Sequence, residues 1–179
     1  MGRMSVISVG AAPGMILILC LLVVQALTIT STAAAADPDP DFLTLSIGGI
    51  DVNDNETAVE FRMEYRSNRT YLFLKPMVGL LGNSQGGIYG YGGVNLDIYL
   101  GNSWVVMPNF AIGGYRRGTA KDLGSVIEFR SGIEVAYRFG NKARLGIAIS
   151  HISNASISDN NPGTESIVLS YSIPLGGTP

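Results

Sequence analysis

The sequence predicts an all-β protein, an eight-stranded antiparallel transmembrane β-barrel. Three observations lead to this fold class. Beyond a Pro/Asp-rich leader at 37–41, the chain divides into runs of about ten residues separated by Gly, Asn, Asp and Ser, which is typical of membrane strands. Apolar and polar residues alternate within the runs. The N-terminal segment has the pattern of a secretory signal, which fits export to an outer membrane.

The predicted strands cover most of the chain after the leader. They lie near residues 42–50, 56–66, 71–80, 87–100, 103–115, 125–139, 142–153 and 164–174. The composition agrees with this interpretation, because the chain has 23 Gly, 8 Tyr and only 15% charged residues. Strands of this length, joined by short polar segments, can close a barrel.

The alternation is clearest in the second and sixth runs. In each run one face is apolar and the other carries charges of both signs, which can pair across the narrow interior of a small barrel. The charged positions are Glu60, Arg62, Glu64, Arg66, Glu128, Arg130, Glu134 and Arg138. A soluble β-sandwich could also show this alternation, with its charges in water. The secretory signal and the low charge content favour the barrel.

The first 36 residues are predicted to be a cleaved signal peptide. Arg3 is the only charged residue there, an apolar core follows from Met15 to about Leu27, and four alanines precede Asp37. This core is shorter than the ~20 residues that a membrane-spanning helix needs. Cleavage after Ala36 would leave one domain, residues 37–179, and would remove Cys20, the only cysteine. The mature chain is therefore expected to have no thiol and no disulfide.

Charge and histidine content exclude two classes of function. The formal net charge of −2 argues against a nucleic-acid partner, since such proteins carry a basic patch or stripe. A chain with one histidine cannot form a multi-histidine metal site, and we expect neither a metal nor another cofactor.

The one histidine belongs to the strongest candidate site. Residues two apart on a strand share a face and lie roughly 6.6 Å apart, so His151 and Ser153 are neighbours at one end of an apolar face. Glu165 begins the apolar face of the next strand. A nucleophile, a base and an acid thus meet where a hydrophobic surface ends, which predicts a hydrolase whose substrate lies in a membrane.

The number of strands predicts on which side of the membrane this site lies. With eight strands and both termini in the periplasm, the connection between strands seven and eight is extracellular. The active site is therefore predicted at the extracellular end of these strands, facing the outer leaflet of a Gram-negative outer membrane, which is lipopolysaccharide.

The segment from Phe129 to Tyr171 resembles the outer-membrane lipid A 3-O-deacylases, a family of eight-stranded barrels that remove an ester-linked acyl chain from lipid A. The resemblance rests on the stretches 137–139, 144–146 and 150–155 and on Glu165, fourteen residues past the histidine. It implies that Ser153, His151 and Glu165 are catalytic and that lipopolysaccharide is the substrate. Our candidates for the oxyanion hole are Asn154, Asn161 and backbone amides near Gly163.

Two other functions are compatible with the residues. A non-catalytic barrel, acting in adhesion or membrane integrity, needs only the signal and the strands. An outer-membrane phospholipase would share the site but cleave another lipid; a calcium-dependent one would need clustered acidic ligands, and this loop offers only Asp159. The sequence is also compatible with a homodimer.

Overall fold

The computed structural model describes residues 39–53 and 57–176. The predicted signal peptide, residues 1–36, lies outside them. Among the described residues, no helix is long and apolar enough to cross a membrane. The strands are β1 (Asp41–Ile50), β2 (Ala58–Arg66), β3 (Lys75–Asn83), β4 (Ile88–Asn95), β5 (Ile98–Leu100), β6 (Trp104–Arg116), β7 (Ile127–Arg138), β8 (Arg144–Ser153) and β9 (Thr164–Leu175).

The sheet closes on itself, as the sequence predicts. Each strand pairs antiparallel with its neighbour, β4 pairs with β6, and β1 pairs with β9 from Asp41↔Leu175 to Ile50↔Ser166. Closure leaves no strand edge with unpaired backbone groups. We call the barrel end that carries the connections 51–57, 84–87, 117–126 and 154–163 the upper rim, and the opposite end the lower rim.

The fourth barrel strand, predicted as one run over 87–100, consists of two collinear pieces, β4 and β5. Both pair with β6 in a single register, from Asn95↔Asn109 to Ile98↔Val106. Pro108 lies opposite the interruption and has no backbone N–H to donate across the ladder. The barrel therefore still has eight strand positions.

The third strand starts later than predicted. Residues 71–74 form a tight turn with reciprocal backbone hydrogen bonds between Tyr71 and Leu74, and Leu72 has a left-handed φ of 61°. The strand begins only at Lys75. The prediction began the strand at residue 71 because the residues of this turn are apolar.

The two faces of the sheet separate as predicted. Outward residues are exposed and apolar; Ile47 is 50% exposed, Phe61 55% and Leu169 51%. Their inward neighbours are buried and polar. The distribution of polar and apolar residues is therefore the reverse of that in a soluble protein. This is the surface of a barrel that contacts lipid.

The charges in the middle of the barrel form a connected network. Glu64 accepts hydrogen bonds from Arg66 at 2.8 Å and from Arg130, across the lumen, at 2.8 Å. Arg66 also donates to Glu134 at 2.7 Å. All four side chains are buried, so each depends on its partners to offset the cost of leaving water. The interior is thus filled by ion pairs.

A second network fills the lower rim and includes part of the leader. Asp39 accepts a hydrogen bond from Arg138 Nη2 at 2.7 Å and another from the Tyr99 hydroxyl at 2.6 Å. Arg144 bridges to Asp97 at 2.9 Å. The described end of the leader therefore belongs to the barrel rather than preceding it.

Neutralising Glu64 should destabilise the barrel strongly. Glu64→Gln keeps the side chain's size but leaves Arg66 and Arg130 without the charge they share, and we expect a loss of about 3 kcal/mol or more. Asp122→Asn is the matched control, because the Arg117–Asp122 pair is exposed and should be worth less than about 1 kcal/mol. Urea unfolding in micelles, followed by Trp104 fluorescence, measures both. Equal losses would contradict the interior network as a source of stability.

Candidate functional site

The register of β8 and β9 brings His151 and Glu165 together. The two residues are direct cross-strand partners, and His151 Nδ1 lies 2.9 Å from Glu165 Oε1. Both side chains point outward at the upper rim, with 46% and 34% of their surfaces exposed. A carboxylate at Nδ1 fixes the orientation of the ring and leaves Nε2 available as a base.

Ser153 shares the outward face of β8 with His151 and lies one step nearer the rim. The β8–β9 ladder ends at Ile152↔Thr164, so the next residue on the β9 side, Gly163, comes opposite Ser153. Among the described residues no hydrogen bond joins Ser153 Oγ to His151. The contact between a nucleophile and its base is often open until substrate binds.

Gly163 adjoins the histidine ring. A Cβ at this position would lie 2.7 Å from His151 Cε1 and 3.3 Å from Nε2, and the φ of Gly163 is +65°. The Nε2 edge of the ring therefore reaches the level of Ser153, and glycine leaves the room that the ring occupies. Gly163 was predicted to contribute a backbone amide; in the structure, its absent side chain is what makes room for the His151 ring.

Asn154 and Asn161 organise the loop that follows Ser153. Asn154 is buried, and its Nδ2 donates to Leu123 O and Asn160 O, both at 2.8 Å, and to Ser158 Oγ at 3.0 Å. The Asn154 backbone N–H donates to Asn161 Oδ1 at 3.0 Å. The donors of Asn154 are thus engaged within the protein.

The next two residues adopt an unusual backbone conformation. Ala155 and Ser156 have φ values of 52° and 64°, and Ile157 N–H closes the turn on Asn154 O at 3.0 Å. Such turns normally hold Asn or Gly, so these residues carry strain of the kind found at functional sites. Within the described part of the chain, neither Ala155 N–H nor Ser156 N–H has an acceptor. Nothing in the residue types predicted this.

A shallow, open groove adjoins the histidine on the lipid-facing wall. Its volume is about 300 Å³, and its lining includes Ser131, Ile133, Ile149, His151 and Glu165. Ser131 is the cross-strand partner of His151 on β7 and interrupts an otherwise apolar row. Ser131 was not among the predicted site residues, although a polar residue in the apolar outward row of β7 could have indicated it.

The described residues contain no group of three or more His, Cys, Asp and Glu side chains arranged to hold a metal ion.

Replacing Gly163 should displace the imidazole. Gly163→Ala places a methyl group 2.7 Å from Cε1, so we expect the His151–Glu165 hydrogen bond to break. Gly101→Ala is the matched control, because Gly101 has the same φ of +65° but open space around it. The chain has one histidine, so proton NMR of the imidazole N–H reports the bond without ambiguity. An unchanged resonance in Gly163→Ala, or an equal change in Gly101→Ala, would contradict the steric explanation.

Comparisons with known proteins agree with the fold. The family model Lipid A 3-O-deacylase (PagL) matches residues 47–174. The crystal structure of the outer membrane enzyme PagL is similar, with 18% identity, a TM-score of 0.60 and coverage of 75% of this chain and 99% of that one. A de novo designed transmembrane β-barrel has 12% identity, a TM-score of 0.53 and coverage of 77% and 98%. No curated protein matches the sequence. The chain belongs to the lipid A 3-O-deacylase family.

Proposed function

We propose that the protein is a serine esterase that removes the 3-O-linked acyl chain of lipid A, with Ser153 as nucleophile, His151 as base and Glu165 as the residue that orients it. The observation that carries this proposal is the 2.9 Å contact between His151 Nδ1 and Glu165 Oε1 on the lipid-facing surface. Ser153 lies two residues beyond His151 on the same face of β8. A catalytic group in this place can reach an ester of a membrane lipid without extracting the lipid.

The reaction follows from the order of the groups. His151 Nε2 takes the proton from Ser153 as its oxygen bonds to the ester carbonyl, forming a tetrahedral intermediate. The bond to the sugar oxygen then breaks, His151 delivers the proton to that oxygen, and an acyl-serine remains. Water, deprotonated by His151, releases the fatty acid and restores the serine. Glu165 stabilises the imidazolium in both steps.

The oxyanion requires donors close to Ser153. The Asn154 side chain gives its hydrogens to the loop, and Asn161 accepts from the Asn154 backbone. The adjoining Ala155 and Ser156 amides, held in the strained turn, are better suited because their hydrogens are available. We therefore assign the oxyanion hole to these backbone amides and regard Asn154 and Asn161 as the groups that hold them, with Gly163 keeping the ring in place.

The membrane context supplies the rest of the proposal. The upper rim faces the outer leaflet, which puts the triad at the depth of the lipid A ester bonds. The groove below His151 then receives the released acyl chain, since it runs along the wall that contacts lipid. Nothing in this arrangement requires a second protomer.

Removing the nucleophile or the base should abolish deacylation. For Ser153→Ala and His151→Ala we expect kcat to fall by about 10⁴-fold or more, as in other serine triads, and Glu165→Ala should cost less. Mass spectrometry of lipid A from cells that express each variant reports the reaction, as the loss of one acyl chain. Ser84→Ala, in a different upper-rim connection, is the control.

Each alternative predicts a different result. Deacylation that persists in folded Ser153→Ala rejects the proposed nucleophile. If the wild-type chain is folded in the outer membrane and lipid A stays intact, the protein is a structural barrel or cleaves another lipid. Released lysophospholipid, measured in the same cells, distinguishes these two.

Filling the groove should change chain-length preference. Ser131→Leu adds bulk beside His151, so we expect kcat/KM for a long-chain ester to fall about tenfold or more. Cleavage of an acetate ester should change little, because acetate does not extend into the groove. Val135→Leu, further along the same outward row, is the control. Equal losses on both esters would show that Ser131 affects the catalytic groups rather than the acyl chain.

A further inference from the structure

Glu128 stands apart from the other acids of the barrel interior. It lies near the upper end of β7, its side chain is fully buried, and neither carboxyl oxygen has a hydrogen-bond partner. The other inward acids of the strands each have a cation. Glu60 accepts from Arg62, Glu64 from Arg66 and Arg130, and Glu134 from Arg66. A buried carboxylate without a partner is the least favourable state that such a group can have.

Glu128 is placed beside Asn154. The β7–β8 ladder pairs Arg130 with Ile152 and Phe129 with Ser153, so the next position along the strands puts Glu128 opposite Asn154. Both side chains lie on the buried, inward side of the wall, directly behind Ser153. The Oδ1 atom of Asn154 is also buried and has no donor. Three buried acceptor atoms without a donor thus belong to two residues at facing positions of the two strands.

The side chains around Glu128 do not supply the missing donor. The Tyr89 hydroxyl donates to the backbone oxygen of Glu128, and the Tyr115 hydroxyl donates to Lys121 O. Arg130, on the same face, binds Glu64 across the lumen, and Lys121 pairs with Asp51. The charge of Asp122, in the loop above, disfavours a second negative charge here, whereas the backbone N–H of Ser125 favours one without making a hydrogen bond of normal geometry to either carboxyl oxygen.

We propose that Glu128 is a neutral carboxylic acid whose O–H donates a hydrogen bond to Asn154 Oδ1 and so holds the chain behind Ser153. A proton turns one of the three acceptors into a donor and satisfies two of them at once. Asn154 is then fixed on both sides, since its Nδ2 already binds the upper-rim loops. Glu128 is a positioning residue: it acts through Asn154 on the turn that bears the Ala155 and Ser156 amides.

Infrared spectroscopy tests the protonation directly and needs no enzyme activity. The difference spectrum of the folded wild-type barrel minus Glu128→Gln at neutral pH should contain the C=O stretch of a protonated carboxyl. Asn154→Ala should shift this band to higher frequency, because the acid loses its acceptor. The absence of the band shows an ionised Glu128 and overturns the proposal, and a band that Asn154→Ala leaves unmoved overturns the assigned partner.

Kinetics test the positioning role, which rests on the proposed function. Glu128→Gln keeps a donor for Asn154 Oδ1 and should retain kcat near the wild-type value, whereas Glu128→Ala should lower kcat about tenfold, the equivalent of one hydrogen bond, with little change in KM. Heat-dependent mobility on gels checks that both variants fold. An equal loss in both variants shows that the ionised carboxylate is required, for example to hold water or a cation, and rejects the proposal. If the wild-type chain cleaves no ester, the infrared result still stands, so the two proposals fail separately.

Discussion

The closure of the sheet between β1 and β9 is the constraint on which the rest of the molecule depends. A lipid environment offers no hydrogen bonds to an open strand edge, so every backbone group must pair within the barrel. Ten residue pairs from Asp41↔Leu175 to Ile50↔Ser166 complete the ring. Once the ring is closed at eight strand positions, the interior is too narrow for a channel and must be filled with side chains.

Because the interior is filled with charged side chains, the usual arrangement of a folded protein, with apolar residues inside and polar residues outside, is reversed. Charged side chains occupy the centre, as Glu64, Arg66, Arg130 and Glu134 do, and apolar residues cover the outside. This network holds opposite walls together across the lumen. It also leaves the outer surface free of charge except near the rim, where His151 and Glu165 stand out against apolar neighbours.

The same wall therefore serves the proposed site from both sides. Its outer face carries the groups that would meet the lipid, and its inner face carries the groups that hold them, with Asn154 tied to the upper-rim loops behind Ser153. A rigid strand pair supplies the position of the base, and a strained turn supplies available amides. In this proposal, reactivity at the membrane surface depends on buried polar contacts behind Ser153.

The features that follow from alternation could be predicted from the order of the residues. A period of two assigns each residue of a strand to one face, so the charged interior, the apolar exterior and the shared face of His151 and Ser153 were predicted from residue types alone. Features that depend on register and loop path needed the folded chain. The residue types placed Glu165 near His151, but the register that makes them direct partners, the contact with Ser131, the space at Gly163 and the isolation of Glu128 arise between separate segments. A slip of one residue in strand pairing would move these side chains to the opposite face of the sheet and break the contacts. The residues of one strand alone do not specify its register with the next strand.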